Sequence, residues 1–195
     1  MTRSAVAAVT LLVSLLAGCA TPTGPVEVTR FSAPEIAAAP RGAIAIEPAF
    51  GNDAQALEFR SYAAAVSHEL ARLGYGERPD AAVVATVDVR REVYRLDRAR
   101  GPVSIGVGGS TGGWGSGVGL GLGFNLSGPP KDQAETQLAV TIRDRASGRS
   151  IWEGRARFAV RSDSPLANTQ LGAAKMAEAL FQGFPGKSGE TILVQ

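Results

Sequence analysis

Two spacings of apolar residues divide the chain. Residues 26–31 (VEVTRF) alternate apolar and polar side chains and predict a first strand; after the loop SAPEIAAAP, residues 42–47 (GAIAIE) predict a second, which Pro48 stops. The period then lengthens. Phe59, Ala63, Val66, Leu70 and Leu73 fall on one face of a helix, with Asn52 or Asp53 placed to cap its start and Gly74 to end it. Residues 81–94 return to the strand period, with Val83, Ala85, Val87 and Val89 on one face and Thr86, Asp88 and Arg90 on the other. Farther on, residues 136–144 set Leu138, Val140 and Ile142 on one face. The turn RASGR leads into residues 150–160, where Trp152, Ala156, Phe158 and Val160 point inward and Glu153, Arg155 and Arg157 outward; the pair predicts a β-hairpin. A second helix is predicted from about residue 166 to residue 182, its apolar side formed by Leu171, Ala174, Ala177, Leu180 and Phe181, and ETILVQ is predicted as a last strand.

One-sided strands and two amphipathic helices predict an α+β fold: a two-layer sandwich whose mainly antiparallel sheet carries both helices on one face and leaves an arginine-decorated face wet. Residues 101–130 interrupt this scheme. They hold twelve of the chain's 24 glycines and no charged residue. From Gly113 to Gly123 glycine takes every second position, between Trp114, Ser116, Val118, Leu120, Leu122 and Phe124; residues 104–108 repeat the pattern more briefly, and STGG can turn between the two. The segment predicts a glycine-rich hairpin insertion with one bare and one apolar face. Six glycines in register cost about 3–6 kcal/mol relative to alanine, so the segment is either loose or held by a contact. A contact surface would use Trp114, Leu120, Leu122 and Phe124, because bare backbone admits a close approach and these side chains supply anchors.

The first nineteen residues, MTRSAVAAVTLLVSLLAGC, carry the most specific signal. Arg3 is a short basic start, and the apolar run of residues 5–16 is shorter than the roughly 20 residues of a spanning helix. It ends in Leu16-Ala17-Gly18-Cys19, a lipobox. Cleavage between Gly18 and Cys19 would leave Cys19 as an acylated N-terminus, and two or three acyl chains hold a protein on a membrane stably where one is marginal. Ala20 in place of Asp implies sorting to the outer membrane. The expected organisation is a signal peptide over 1–18, a lipidated cysteine and tether over 19–25, and one periplasmic domain over 26–195. Loss of residues 1–18 would leave 195 − 18 = 177 residues and, with Arg3 gone, a net charge of 2 − 1 = +1. That charge offers no basic footprint for nucleic acid. Cys19 is the only cysteine and His68 the only histidine, which excludes a disulfide framework and a His-rich metal site; no cofactor or metal is expected.

Three catalytic patterns fail on their own terms. No frame of G-x-G-x-x-G closes: from Gly106, Gly113 and Gly115 the last position is Thr111, Val118 and Leu120. Gly186-Lys187-Ser188 resembles the end of a P-loop, but Phe181 stands where its first glycine belongs and a strand pattern follows. Gly108-Gly109-Ser110-Thr111-Gly112 fits a nucleophile elbow in letters, yet no helix pattern follows it and His68 precedes the serine on the solvent side of its helix. Of the carboxylates, Glu58, Glu69, Asp88, Glu92 and Glu153 mostly alternate with arginines on exposed faces.

The order of these features resembles the bacterial lipoproteins of domain-of-unknown-function family 4136. The likeness rests on the lipobox, Phe31 in an early strand, the glycine-rich stretch and above all the hairpin RDRASGRSIWEGRA, with Asp144, Gly148, Ile151, Trp152 and Gly154. That family has no established activity, so the resemblance implies the fold and an envelope location and no catalytic residues. The expected function is therefore a membrane-anchored envelope lipoprotein acting as a non-catalytic binding or assembly accessory, its partners the membrane through Cys19 and an envelope protein, lipid or glycan. The alternative is a hydrolase of envelope polymers working through carboxylates or Ser110.

Overall fold

The computed structural model describes residues 24–37, 41–94, 103–109, 118–124 and 132–195, with 103–109 and 118–124 described by their backbone. Among them run β1 (Val26–Ser32), β2 (Ala43–Pro48), α1 (Leu57–Arg72), β3 (Gly76–Glu77), β4 (Val83–Tyr94), β5 (Val103–Gly109), β6 (Val118–Phe124), β7 (Gln133–Asp144), β8 (Ser150–Arg161), α2 (Thr169–Phe181) and β9 (Glu190–Val194). Seven strands make one sheet in the order β3-β2-β4-β7-β8-β1-β9, and β5 pairs with β6 as a separate ribbon. The arrangement is the α+β sandwich that the patterns predict. Most neighbours are antiparallel, but β2 lies parallel to β4 and to β3, so α1 serves as a crossover between parallel strands.

The β7–β8 hairpin is the sheet's centre, twelve residues to a strand and paired from Gln133–Arg161 to Arg143–Ser150. Its turn is fixed by Asp144, whose Oδ1 accepts from the Ser147 amide (2.8 Å) and hydroxyl (2.7 Å), while Gly148 adopts a φ of +70°. Those bonds hold the Asp144 carboxyl below its ordinary pKa. On the helix side of β8, Trp152, Gly154, Ala156, Phe158 and Val160 are buried in succession. Trp152 stacks on Phe181 at 5.3 Å, meets Phe184 at 5.1 Å, and its Nε1 donates to the Pro185 carbonyl at 2.9 Å. Gly154 makes room for this cluster: a Cβ there would lie 2.8 Å from Leu180 Cδ1 and 2.9 Å from Trp152 Cζ2.

Arg30 shares the inward parity of Val26 and Val28 and is 5% exposed. Its Nε and Nη2 donate to the carbonyls of Leu180 and Ala179, both at 2.9 Å, satisfying acceptors that the end of α2 would otherwise leave open. Burial lowers the guanidinium pKa, and the charge of Glu190 raises it in part.

Two expectations about the helices change. Neither Asn52 nor Asp53 caps α1. Its N-cap is Ala56, which makes no side-chain bond; Asn52 reaches β4 instead, donating to Asp88 Oδ1 (2.9 Å) and accepting from the Val89 amide (3.1 Å), and Asp53 accepts from the Gln55 amide. In α2 the apolar face is rotated. Leu171 is 52% exposed and Ala174 is exposed, while Gly172, Ala173, Met176, Ala177, Ala179, Leu180 and Phe181 are buried. The reason is contact distance. Pro165–Ala167 form a 3-10 turn, α2 begins only at Thr169 with Asn168 as its cap, and Gly172 lies so near that turn that a Cβ would come 2.8 Å from the Leu166 carbonyl. Small residues face inward because the packing there is tight.

The registers bring several chain ends to one end of the sheet. Tyr94 pairs with Gln133, Gln133 with Arg161, Glu27 with Arg157 and Val26 with Val194, so β1 begins, β4 and β8 end, β7 begins and β9 ends together. Both helices start there as well. Arg91 ties them to β4 by donating to Glu58 (3.4 Å), Thr169 Oγ1 (3.2 Å) and the Ala167 carbonyl (2.6 Å).

Candidate functional site

The sheet face opposite the helices carries polar side chains in cross-strand rows. Thr86, Thr141 and Glu153 form one row, Asp88, Ala139, Arg155 and Thr29 the next, and Arg90, Gln137, Arg157 and Glu27 the third. Small residues in the middle leave a shallow, open depression of about 530 Å³ with Thr86, Gln137, Ala139 and Thr141 among its lining and Arg90, Arg155 and Arg157 around it. A second depression of about 280 Å³ adjoins it across Arg155 and Arg157 and reaches Thr29 and Phe31. One corner of this face is covered rather than wet: Val84, Ala45 and Ala81 form a small buried cluster, and Arg145 donates to the carbonyls of Ala81 and Pro79 beside it.

The charges here are matched. Arg90 meets Asp88 at 3.0 Å, Arg155 meets Glu153 at 3.6 Å, Arg157 meets Glu135 at 3.2 Å, and Glu47 bridges Arg143 (3.2 Å) and Arg145 (2.9 Å). Exposed pairs of this kind contribute about 0–1 kcal/mol each, so they add little to stability. Their effect is to orient guanidinium groups around a floor of hydroxyl and amide groups. Such a surface can hydrogen-bond a polar partner along several strands.

The sequence-derived candidates fall in separate places. Gly18, Cys19, Ser110 and Trp114 lie outside the described residues. Leu120, Leu122 and Phe124 are in β6, opposite Val107, Ile105 and Val103 of β5. His68 is 73% exposed beside Glu69, which also pairs with Arg72; Glu58 pairs with Arg91. Gly186-Lys187-Ser188 belongs to the turns before β9, where Ser188 Oγ accepts from the Ser32 amide. Among the described residues no group of three or more His, Cys, Asp or Glu side chains is placed to hold a metal ion. The polar face itself had a sequence signal: the Thr86, Asp88, Arg90 and Glu153, Arg155, Arg157 alternations. What the sequence could not supply was the pairing of β4 with β7, which sets Gln137, Ala139 and Thr141 between those two alternations.

Comparison with known proteins adds four likenesses. The family model described as a domain of unknown function (DUF4136) matches residues 40–186. An uncharacterized protein of Zymomonas mobilis is 29% identical, over 89% of this chain and 81% of its own length. Among solved structures, a PDZ domain protein from Parabacteroides distasonis gives a TM-score of 0.50 at 11% identity, covering 99% of this chain and 43% of that one; this is a likeness of fold. A PelC dodecamer from Paraburkholderia phytofirmans gives a TM-score of 0.41 at 15% identity, covering 80% and 96%.

Proposed function

The chain belongs to this family of domains of unknown function, and from that premise we propose that it is a lipoprotein of the bacterial envelope, anchored through Cys19 and acting as a non-catalytic binding or assembly accessory. The anchoring half rests on the lipobox Leu16-Ala17-Gly18-Cys19 after a short apolar run. Outer-membrane residence facing the periplasm follows from Ala20 behind the cysteine. The binding half rests on one observation: the exposed sheet face is a broad, shallow, charge-matched surface rather than a cleft on which reactive groups converge. A flat face of that kind suits an envelope protein or glycan contacted along its length.

Cys19→Ser tests the anchor. The substituted protein is expected to be stripped from the membrane fraction by a carbonate wash that leaves the wild type in place, and mass spectrometry of the wild-type N-terminal peptide to show a diacylglyceryl cysteine; an unmodified wild-type Cys19 refutes this half. For the face, a photocrosslinking residue at Arg155 in cells is expected to give one dominant adduct that disappears when Arg90 and Arg157 are both replaced by Glu. Scattered adducts indifferent to those charges would retire the binding reading.

A further inference from the structure

The ribbon formed by β5 and β6 is amphipathic across its thickness. The register matches Val103 with Phe124, Ile105 with Leu122 and Val107 with Leu120, and it matches Ser104 with Gly123, Gly106 with Gly121 and Gly108 with Gly119. Directly opposed residues of an antiparallel pair stand on the same face. One face therefore carries branched aliphatic and aromatic residue types, with Gly109 opposite Val118 as its one glycine, and the other only glycine and serine. A two-stranded ribbon is marginal in water by itself, so this apolar face requires a cover.

Where the ribbon leaves the domain indicates what covers it. Its root, Tyr94 and Gln133, is at the end of the sheet where β1 begins, and Gly24 lies there too, beside the Ala159 carbonyl. Between β4 and β1 stand only β7 and β8, three strand spacings, or about 14 Å at about 4.8 Å each. Cys19 lies seven residues before Val26, so its acyl chains are within about 25 Å of this end at about 3.5 Å per residue. The same end exposes Leu57 at the start of α1, Leu171 at the start of α2, and Val93 next to the root. The sequence flanking the uncharged segment holds Arg95, Arg98, Arg100 and Lys131 against Asp97 and Asp132, four bases to two acids, which suits anionic headgroups.

From this convergence we infer that the β5–β6 ribbon is a second membrane contact, lying in the interface of the leaflet that holds the Cys19 acyl chains with its apolar face toward them. The inference rests on the lipoprotein reading above for its membrane. Length and hydrogen bonding decide between lying and spanning. Seven residues extend about 24 Å at about 3.4 Å each, whereas a tilted spanning strand needs about 9–11 residues. Among the described residues the outer backbone groups of the ribbon have no strand neighbour, and open edges are not tolerated in the hydrocarbon core. At the interface, water and headgroups satisfy those edges and the glycine face, while the apolar face enters the acyl boundary as that of an amphipathic helix does.

The full lipidated chain makes the test direct, because acylation consumes the Cys19 thiol and an introduced cysteine becomes the only free one. Single cysteines at Gly119, Leu120, Gly121, Leu122, Gly123 and Phe124 are labelled with an environment-sensitive fluorophore, and the protein is placed in vesicles of phosphatidylethanolamine and phosphatidylglycerol. Probes at 120, 122 and 124 are expected to emit several-fold more strongly than those at 119, 121 and 123. They should be quenched by a nitroxide near the headgroups and hardly by one at the bilayer centre. Uniform emission along the strand overturns the inference, as does alternation without lipid quenching, which would mark a protein cover. Strong quenching from the bilayer centre also overturns it, in favour of a spanning ribbon. A thiol that labels in the unsubstituted chain identifies the other failure, that of the anchor; the ribbon is then tested on Cys19→Ser protein, where Leu120→Asp with Leu122→Asp should abolish binding to the same vesicles.

Discussion

Trp152→Ala is expected to lower the stability of the domain by about 3–5 kcal/mol. That loss is a large share of the roughly 5–15 kcal/mol typical of a folded domain, so the variant should be partly unfolded at 37 °C. The size follows from the residue's position. Trp152 is 1% exposed near the start of β8, its indole against Gly154, and its ring joins Phe181 of α2 to Phe184 in the turn that follows. Removing the indole leaves a cavity that neither the sheet nor the end of α2, tied to β1 by Arg30, can collapse to fill. It also strips the Pro185 carbonyl of its donor. Trp152→Phe separates the two contributions, since it keeps the stacking and loses the Nε1 bond, which is worth about 1 kcal/mol. Urea denaturation followed by far-UV circular dichroism checks both values. A midpoint for Trp152→Ala equal to that of Trp152→Phe would show that packing contributes nothing beyond the hydrogen bond.

The second large effect belongs to a charged residue. Arg30→Met should cost about 3 kcal/mol, from two acceptors that each lose a bond to a charged group worth about 1.5–3 kcal/mol, offset in part by the desolvation no longer required. A buried ion pair can often be replaced by apolar side chains without loss, because both partners are removed together. Here the partners are the main-chain carbonyls of Leu180 and Ala179, which no substitution deletes. Arg30→Lys should recover part of the loss, because an ammonium group can reach one carbonyl but lacks the fork that meets both. Hydrogen exchange gives the local signature: amides in the last turn of α2 and in residues 182–189 should lose protection more than those of β7. Equal loss everywhere would mean that Arg30 acts on global stability alone.

The sequence revealed the parts of this fold in which periodicity and pairing coincide. The β7–β8 hairpin alternates cleanly, turns at Asp144–Gly148 and buries the face that alternation selects. The inward parity of Arg30 with Val26 and Val28 was also present in the letters, but charge argued against it, and only the open carbonyls at the end of α2 explain why an arginine belongs there. The face of α2 was misphased because a hydrophobic pattern weights Leu171, whereas the structure selects by distance and turns glycine and alanine inward. The parallel pairing of β2 with β4 leaves no local trace. For the candidate surface, each strand's outward residues were legible one strand at a time. Their assembly into rows depends on register, which joins Asp88, Ala139, Arg155 and Thr29 from distant parts of the chain.

The position of β1 has a further consequence, for the order in which the chain can assemble. This first strand is an interior one, bonded to β8 on one side and β9 on the other. Val26 must therefore wait for Val194, and Glu27 for Arg157, before either flank is closed. Loop closure over such separations is slow and unrewarded until late. A chain emerging N-terminus first stays without its completed sheet until β9 is available. During that interval β1 has no bonded neighbour on its β9 side, and closing that flank is the step that completes the sheet.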